Sequence, residues 1–326
     1  DEAAATSTYG DINTWDVSLI TDFSDLFGNK ISFNSNISNW DVSSGTNFNA
    51  MFFGAASFNQ DISSWDVSSG TDFHSMFNNA TAFNQPIGSW DVSSGIDFTG
   101  MFYEAISFNQ DIGSWDVSSG TDFRYMIFGA RSFNQDISNW NVSSGKEFKS
   151  MFNSASAFNQ PIGSWDVSSG IDFSEMFYRA TSFNQDIGSW DVSSGIRFRV
   201  MFLDADTFNQ PISNWDVSSG IDFRGMFNST DTFNQSISNW DVSSGVLFNE
   251  MFFNAKSFDQ DISYWNVHSG TSFDIMFAHS LMNSNGWRKT PLPSDFNGFI
   301  LNGTSSDDTI SGGNGNDVLS GLGGDD

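Results

Sequence analysis

The 326-residue chain has no cysteine, so neither a disulfide framework nor thiol chemistry is available to it. Cations are scarce: 12 lysines and arginines stand against 39 carboxylates, for a formal net charge of −27. Such a surface repels phosphate backbones and anionic headgroups, so nucleic acid and membrane surfaces are not expected partners. No apolar run approaches the ~20 residues that a membrane-spanning helix needs, so insertion into a membrane is not expected. No secretory leader opens the sequence at Asp1, and both ends are expected to be cut from a longer protein. Histidine is nearly absent. His74, His268 and His279 fall at unrelated positions, and the five glutamates are scattered. No Ser/His/Asp set or metalloprotease spacing appears, so the chain is not expected to be an enzyme.

What is present is aromatic. Strongly acidic chains usually bury too little apolar surface to fold, but 36 phenylalanines and 12 tryptophans contradict that reading here. Tryptophan recurs at 15, 40, 65, 90, 115, 140, 165, 190, 215, 240 and 265, a spacing of 25 without one insertion or deletion. Rigid spacing over a whole chain is the mark of a solenoid, in which each repeat packs only on its neighbours.

One repeat can be read from Trp65 onward. Trp65-Asp66-Val67-Ser68 alternates apolar and polar, as a short strand does with Trp and Val inward. Stacked copies predict a parallel sheet with strands ~4.8 Å apart. Gly70 breaks the strand, and Thr71 or Asp72 caps a segment in which Phe73, Met76, Phe77 and Ala80 fall at helical spacing. That helix of one or two turns would be stable only by packing. Phe83 and Ile87 close the interior on the return. Asn59 heads a further column at the same interval, expected to satisfy backbone groups of adjacent coils. The fold expected is an α/β solenoid of eleven 25-residue coils, with a short parallel sheet on one side and short helices on the other. It would be a single elongated body about 50 Å long at ~4.8 Å per strand. The ends deviate: Leu26 replaces Met, Ile20 replaces Gly, and Trp287, Phe296, Phe299 and Ile300 are expected to cover the last coil.

The stretch "MFFGAASFNQDISSWDVSSGTDF" resembles the repeat of the BspA-family leucine-rich-repeat surface proteins, also known from mycoplasma lipoproteins. The resemblance spans roughly residues 11–277 and rests on the Trp, Asn, Met and Phe positions together. It implies a right-handed leucine-rich-repeat-like coil on a bacterial surface, used in adhesion. Gly70 and Phe73 depart from it, since an aliphatic residue and a methionine are expected there.

A second motif follows. Residues 312–320 match the calcium-binding nonapeptide G-G-x-G-x-D-x-U-x in full, with partial copies before and after. Asp308, Asp317 and Asp326 fall in register as carboxylate donors, and Gly313 and Gly315 allow tight turns with exposed carbonyls. This tract resembles the repeats-in-toxin calcium-dependent β-rolls, which implies calcium as cofactor and one-step secretion from a Gram-negative bacterium. Three domains are expected: a solenoid over 1–277, a cap over 278–301, and the start of a β-roll over 302–326.

Comparison between repeats separates two faces. On the helical side the pairs at 74–75, 99–100, 124–125 and 149–150 read His-Ser, Thr-Gly, Arg-Tyr and Lys-Ser. On the strand side Asp66, Asp91, Asp116, Asp166 and Asp191 repeat with Ser68, Ser93, Ser118, Ser168 and Ser193, and Asn141 and Asn266 interrupt the column. This repeated face is the candidate ligand surface. Stacked carboxylates repel, so each Asp is expected first to accept hydrogen bonds from the nearby serine or turn amides. The leading functional reading is a secreted or cell-surface adhesin module, a monomer within a longer chain, whose ligand is a cell-surface protein or glycan. The alternatives are a stiff spacer without a ligand, and binding of a regular polymer or ice lattice. For the last, the outward column from Thr71 reads Thr, Ile, Thr, Lys, Ile, Ile, Ile, Val, Thr, a mixed surface.

Overall fold

A computed structural model of the chain describes residues 2–296, 300–302 and 318–320. The chain divides into two compact units, Asp1–Ser169 and Gly170–Asp326.

The first unit opens on a short helix, α1 (Glu2–Tyr9), and a single 3-10 turn, Ile12–Thr14, whose cap Asp11 accepts the Asn13 amide at 3.0 Å. From there it is a stack of coils. The amides of Phe73, Ser75, Phe77 and Asn79 donate to the carbonyls of Asp97, Thr99, Met101 and Tyr103 one coil on, at 3.0, 2.8, 2.9 and 2.7 Å. Between them, the amides of Met76, Asn78 and Ala80 close four-residue turns onto the carbonyls of Phe73, Ser75 and Phe77. The segment therefore alternates between bonds across coils and bonds within a coil.

This pattern corrects the expected helix. Phe73, Met76, Phe77 and Ala80 are all fully buried, as helical spacing foresaw, but the backbone is a run of turns. Ser75 and Asn79 have φ of 55° and 56°, the left-handed region, and no α-helix passes through two such residues four apart. The parallel pairing is also displaced. It occurs as isolated bridges at Asp72↔Asp97 and its equivalents, rather than at Trp65–Ser68. The reason lies at Asp66, whose side chain takes the Ser68 amide that a sheet ladder would have used.

Ring columns fill the interior. Trp65 and Trp90 stack at 6.4 Å with planes 4° apart, Phe77 and Phe102 at 5.7 Å, and Phe52 packs on Phe58 of its own coil at 4.0 Å. Aromatic pairs of this kind contribute about 0.5–1.5 kcal/mol each beyond the area they bury. The indoles of the column donate to the chain one coil back: Trp90 Nε1–H reaches the Ile62 carbonyl at 3.0 Å, and Trp65 and Trp115 reach Ile37 and Ile87 in the same way. The Asn column behaves as expected, with the Asn84 amide donating to Asn59 Oδ1 at 2.9 Å and Gln85 Nε2 reaching the same oxygen at 2.9 Å.

The second unit repeats these rules. The amides of Phe173, Glu175, Phe177 and Arg179 donate to Arg197, Arg199, Met201 and Leu203, each at 2.9 Å. Its last coil is covered by α2 (Leu281–Ser284) and the chain after it. Phe296, 1% exposed, stacks on Phe273 at 5.0 Å and Trp265 at 6.4 Å, and Trp287 meets Phe277 edge-on at 5.3 Å. Phe299 and the Ile300 side chain, placed in the same cover by sequence, lie outside the described residues. The unit also holds two short parallel strands, β1 (Ile300–Asn302) and β2 (Val318–Ser320), with Ile300 opposite Val318.

Candidate binding strip and calcium tract

Along the Trp-to-Gly stretch the coils from Asp16 to Asp241 make the same side-chain turn, whereas in the last coil Asn266 Oδ1 is buried without a partner and His268 Nδ1 accepts the Gly270 amide instead. In the first unit, Oδ1 of Asp66, Asp91 and Asp116 accepts the amide of Ser68, Ser93 and Ser118, each at 3.0 Å. Asp166 takes the Ser168 amide at 3.0 Å and the Ser168 hydroxyl at 2.6 Å. In the second unit, Asp191 accepts the Ser193 amide at 3.0 Å. The aspartates are exposed and the serines half-buried. Asn141 holds the same turn, its Oδ1 accepting the Ser143 amide at 3.1 Å and hydroxyl at 2.7 Å. The oxygen alone is what the turn requires, so Asn141 interrupts the charge column without disturbing the backbone.

The electrostatics agree. The serine hydroxyl two residues on, then the serine amide, hold Asp16, Asp41, Asp91 and Asp116 below the ordinary carboxylate range. Asp16 pushes Asp41 back up, and Asp91 does so to Asp116, but these repulsions are the smallest of the causes. In the second unit Asp216 is lowered by Ser218 and opposed weakly by Asp191 in the same way. Hydrogen bonding therefore outweighs like-charge stacking.

A second acidic column, not singled out by sequence reasoning, lies five residues earlier. Asp61, Asp111 and Asp136 accept the amides of Ser63, Gly113 and Ser138, each at 2.9 Å, and Asp186 and Asp261 do the same in the second unit. The signal was legible: Asp61-Ile62-Ser63 has the same one-residue gap as Asp66-Val67-Ser68. The aspartates of both columns are exposed, and within each unit the Asp66-type column forms an acidic strip. Among the described residues, no group of three or more His, Asp or Glu is arranged to hold a metal ion.

The calcium donors proposed from sequence, Asp308, Asp317, Asp326, Gly313 and Gly315, lie outside the described residues. The flanking strands bear on them through register. Ile300 pairs with Val318, an offset of 18 residues or two nonapeptides, and the same interval separates Asp308 from Asp326 in the sequence. Carboxylates and glycine-rich carbonyls are hard oxygen donors that suit calcium, so the donor set fits the ion.

Among the described residues, no helix is long and apolar enough to cross a membrane. No curated protein matches the chain. Among solved structures, a plant peptide hormone receptor, RGFR1 in complex with RGF2, is similar at 6% identity and a TM-score of 0.21. The match covers 87% of this chain and 52% of that one, so the chain spans about half the receptor's length. The profile of the RTX calcium-binding nonapeptide repeat (4 copies) matches residues 300–326. The profile described as "Mycoplasma protein of unknown function, DUF285" matches three times, over residues 2–114, 96–213 and 173–289. Those matches take in nearly all of the aromatic coils, and the chain belongs to the DUF285 family.

Proposed function

We propose that the chain is an extracellular binding module of a bacterial surface adhesin, of the BspA-like kind with a right-handed coil, and that its acidic strip meets a cell-surface protein or glycan. The observation that carries this reading is the strip itself: exposed carboxylates at a fixed interval, each held in one orientation by its own turn. A repeated polyhydroxyl ligand, or calcium bridging such a ligand, would meet the same carboxylate at successive coils on either side of Asn141 without reorganising the protein. The match to RTX calcium-binding repeats supports calcium as the cofactor and the outside of the cell as the setting.

A second reading, the stiff spacer, is favoured by Asn141, which shows that the turn survives where the charge is missing. A glycan array and a cell-binding assay, run on the full chain with and without calcium, separate the two. The adhesin reading expects saturable, calcium-dependent binding to a defined surface component. Absence of binding in both conditions, with the protein folded, supports the spacer.

A further inference from the structure

The first coil carries a cleft that the repeat pattern explains. Asp11, Ile12 and Trp15 keep the frame of Asp61, Ile62 and Trp65, but the residues 25 before Phe27 and Phe33 are Glu2 and Thr8. In the next coils those positions are Phe52 and Phe58, then Phe77 and Phe83. One pair of rings is therefore missing from the stack. On their inner side Phe27 and Phe33, 3.8 Å apart, stack on Phe52 at 5.4 Å and on Phe58 at 5.8 Å. On their other side lies a cleft of about 620 Å³, walled by Phe27, Phe33, Trp15, Leu26 and Ile31, with Ala5 of α1 closing it. That volume is within the usual range for a small-molecule site.

Lys30 also lines the cleft. It occupies the column that inner coils fill with fully buried alanines such as Ala55, Ala80 and Ala105. It is also the single lysine or arginine in the first 123 residues of a chain with net charge −27. Among the described residues it has no ion-pair partner, a state it shares with Lys146, Lys149, Arg199 and Lys289, but of these five cations only Lys30 lines the cleft.

We propose that this cleft binds a planar aromatic carboxylate, its rings continuing the stack on Phe27 and Phe33 and its anionic group on Lys30. The ring column defines the shape and plane of the occupant, and the isolated cation defines its charge. The site is independent of the acidic strip and of any role in adhesion.

The test titrates the full chain with 2-naphthoate by calorimetry, with neutral 2-naphthamide as control. The proposal expects one saturable site that prefers the acid by about five-fold, the scale of a partly exposed ion pair. Lys30→Ala should remove that preference and leave the amide affinity unchanged. Leu26→Trp, which fills the cleft from an exposed position, should abolish binding of both ligands with no loss of thermal stability. Three results would overturn the proposal: no saturable binding, equal affinity for acid and amide in the native chain, or binding that survives Leu26→Trp. In those cases Lys30 only guards an exposed coil edge against self-association.

Discussion

Gly70 has no room for a side chain: a Cβ there would lie 2.6 Å from Phe73 Cζ, 2.9 Å from the Val67 carbonyl and 3.1 Å from Phe48 Cε2. Gly45, Gly95, Gly120 and Gly145 meet the phenylalanine three residues on in the same way. The two departures from the expected repeat are thus one event, since the Phe73 ring occupies the volume that an aliphatic residue at 70 would fill. Gly70→Val alone should lower stability by about 2 kcal/mol through overpacking. Adding Phe73→Met should recover most of that loss, a positive coupling in a double-mutant cycle read by denaturant unfolding. Additive losses would show that the glycine is needed for its backbone instead. Sequence revealed both residues as anomalies but could not connect them, because the contact depends on where the turn sends the ring. At the Asp66 column the chemistry was legible from Asn141, since an amide can replace a carboxylate as an acceptor but not as a charge.

At the scale of one coil, the sequence carried burial better than backbone. The spacing of Phe73, Met76, Phe77 and Ala80 identified the interior face correctly, yet those residues lie on turns that alternate between bonds within and across coils. An apolar period of three and four is shared by a helix and by this run of turns. What separates them is the left-handed backbone at Ser75 and Asn79, which neither residue type announces. The Asn column was easier, because an amide repeated at one turn position has few uses besides bonding to the backbone. Its role in the structure is as an acceptor: Asn84 Oδ1 takes the Asn109 amide at 2.9 Å and Gln110 Nε2 at 3.0 Å. Asn84→Asp preserves that oxygen and should change the melting midpoint little. Asn84→Leu strands the Asn109 amide and should cost about 1–3 kcal/mol in denaturant unfolding. Equal losses for the two variants would mean that the amide nitrogen, not the oxygen, holds the coils.

For the whole molecule the governing quantity is charge. A net charge of −27 makes self-repulsion the simple expectation, and repulsion alone would let acid stabilise the fold. The turn aspartates reverse that sign. Ser93 and Ser118 hold Asp91 and Asp116 lower in the folded chain than in the unfolded one. The contribution of such groups is fully present above the unfolded value, about 3.9, and disappears as the pH falls through the lower folded values. Thermal melts should therefore be nearly level from about pH 7 to pH 5 and fall below about pH 4. A midpoint that rises on acidification would show that repulsion dominates. The functional claim makes a separate demand on the same residues, and one measurement isolates it: calcium-dependent adhesion of the full chain after Asp66, Asp91, Asp116 and Asp166 are all changed to Asn. Asn141 already shows that the turn accepts the exchange, so circular dichroism should not move, and the neutral-pH melting midpoint should fall only by the charge-assisted part of those bonds. The account predicts that adhesion is lost while the fold is kept. Undiminished adhesion by the folded variant would contradict it and place the ligand on the variable face that carries Ser75 and Asn79.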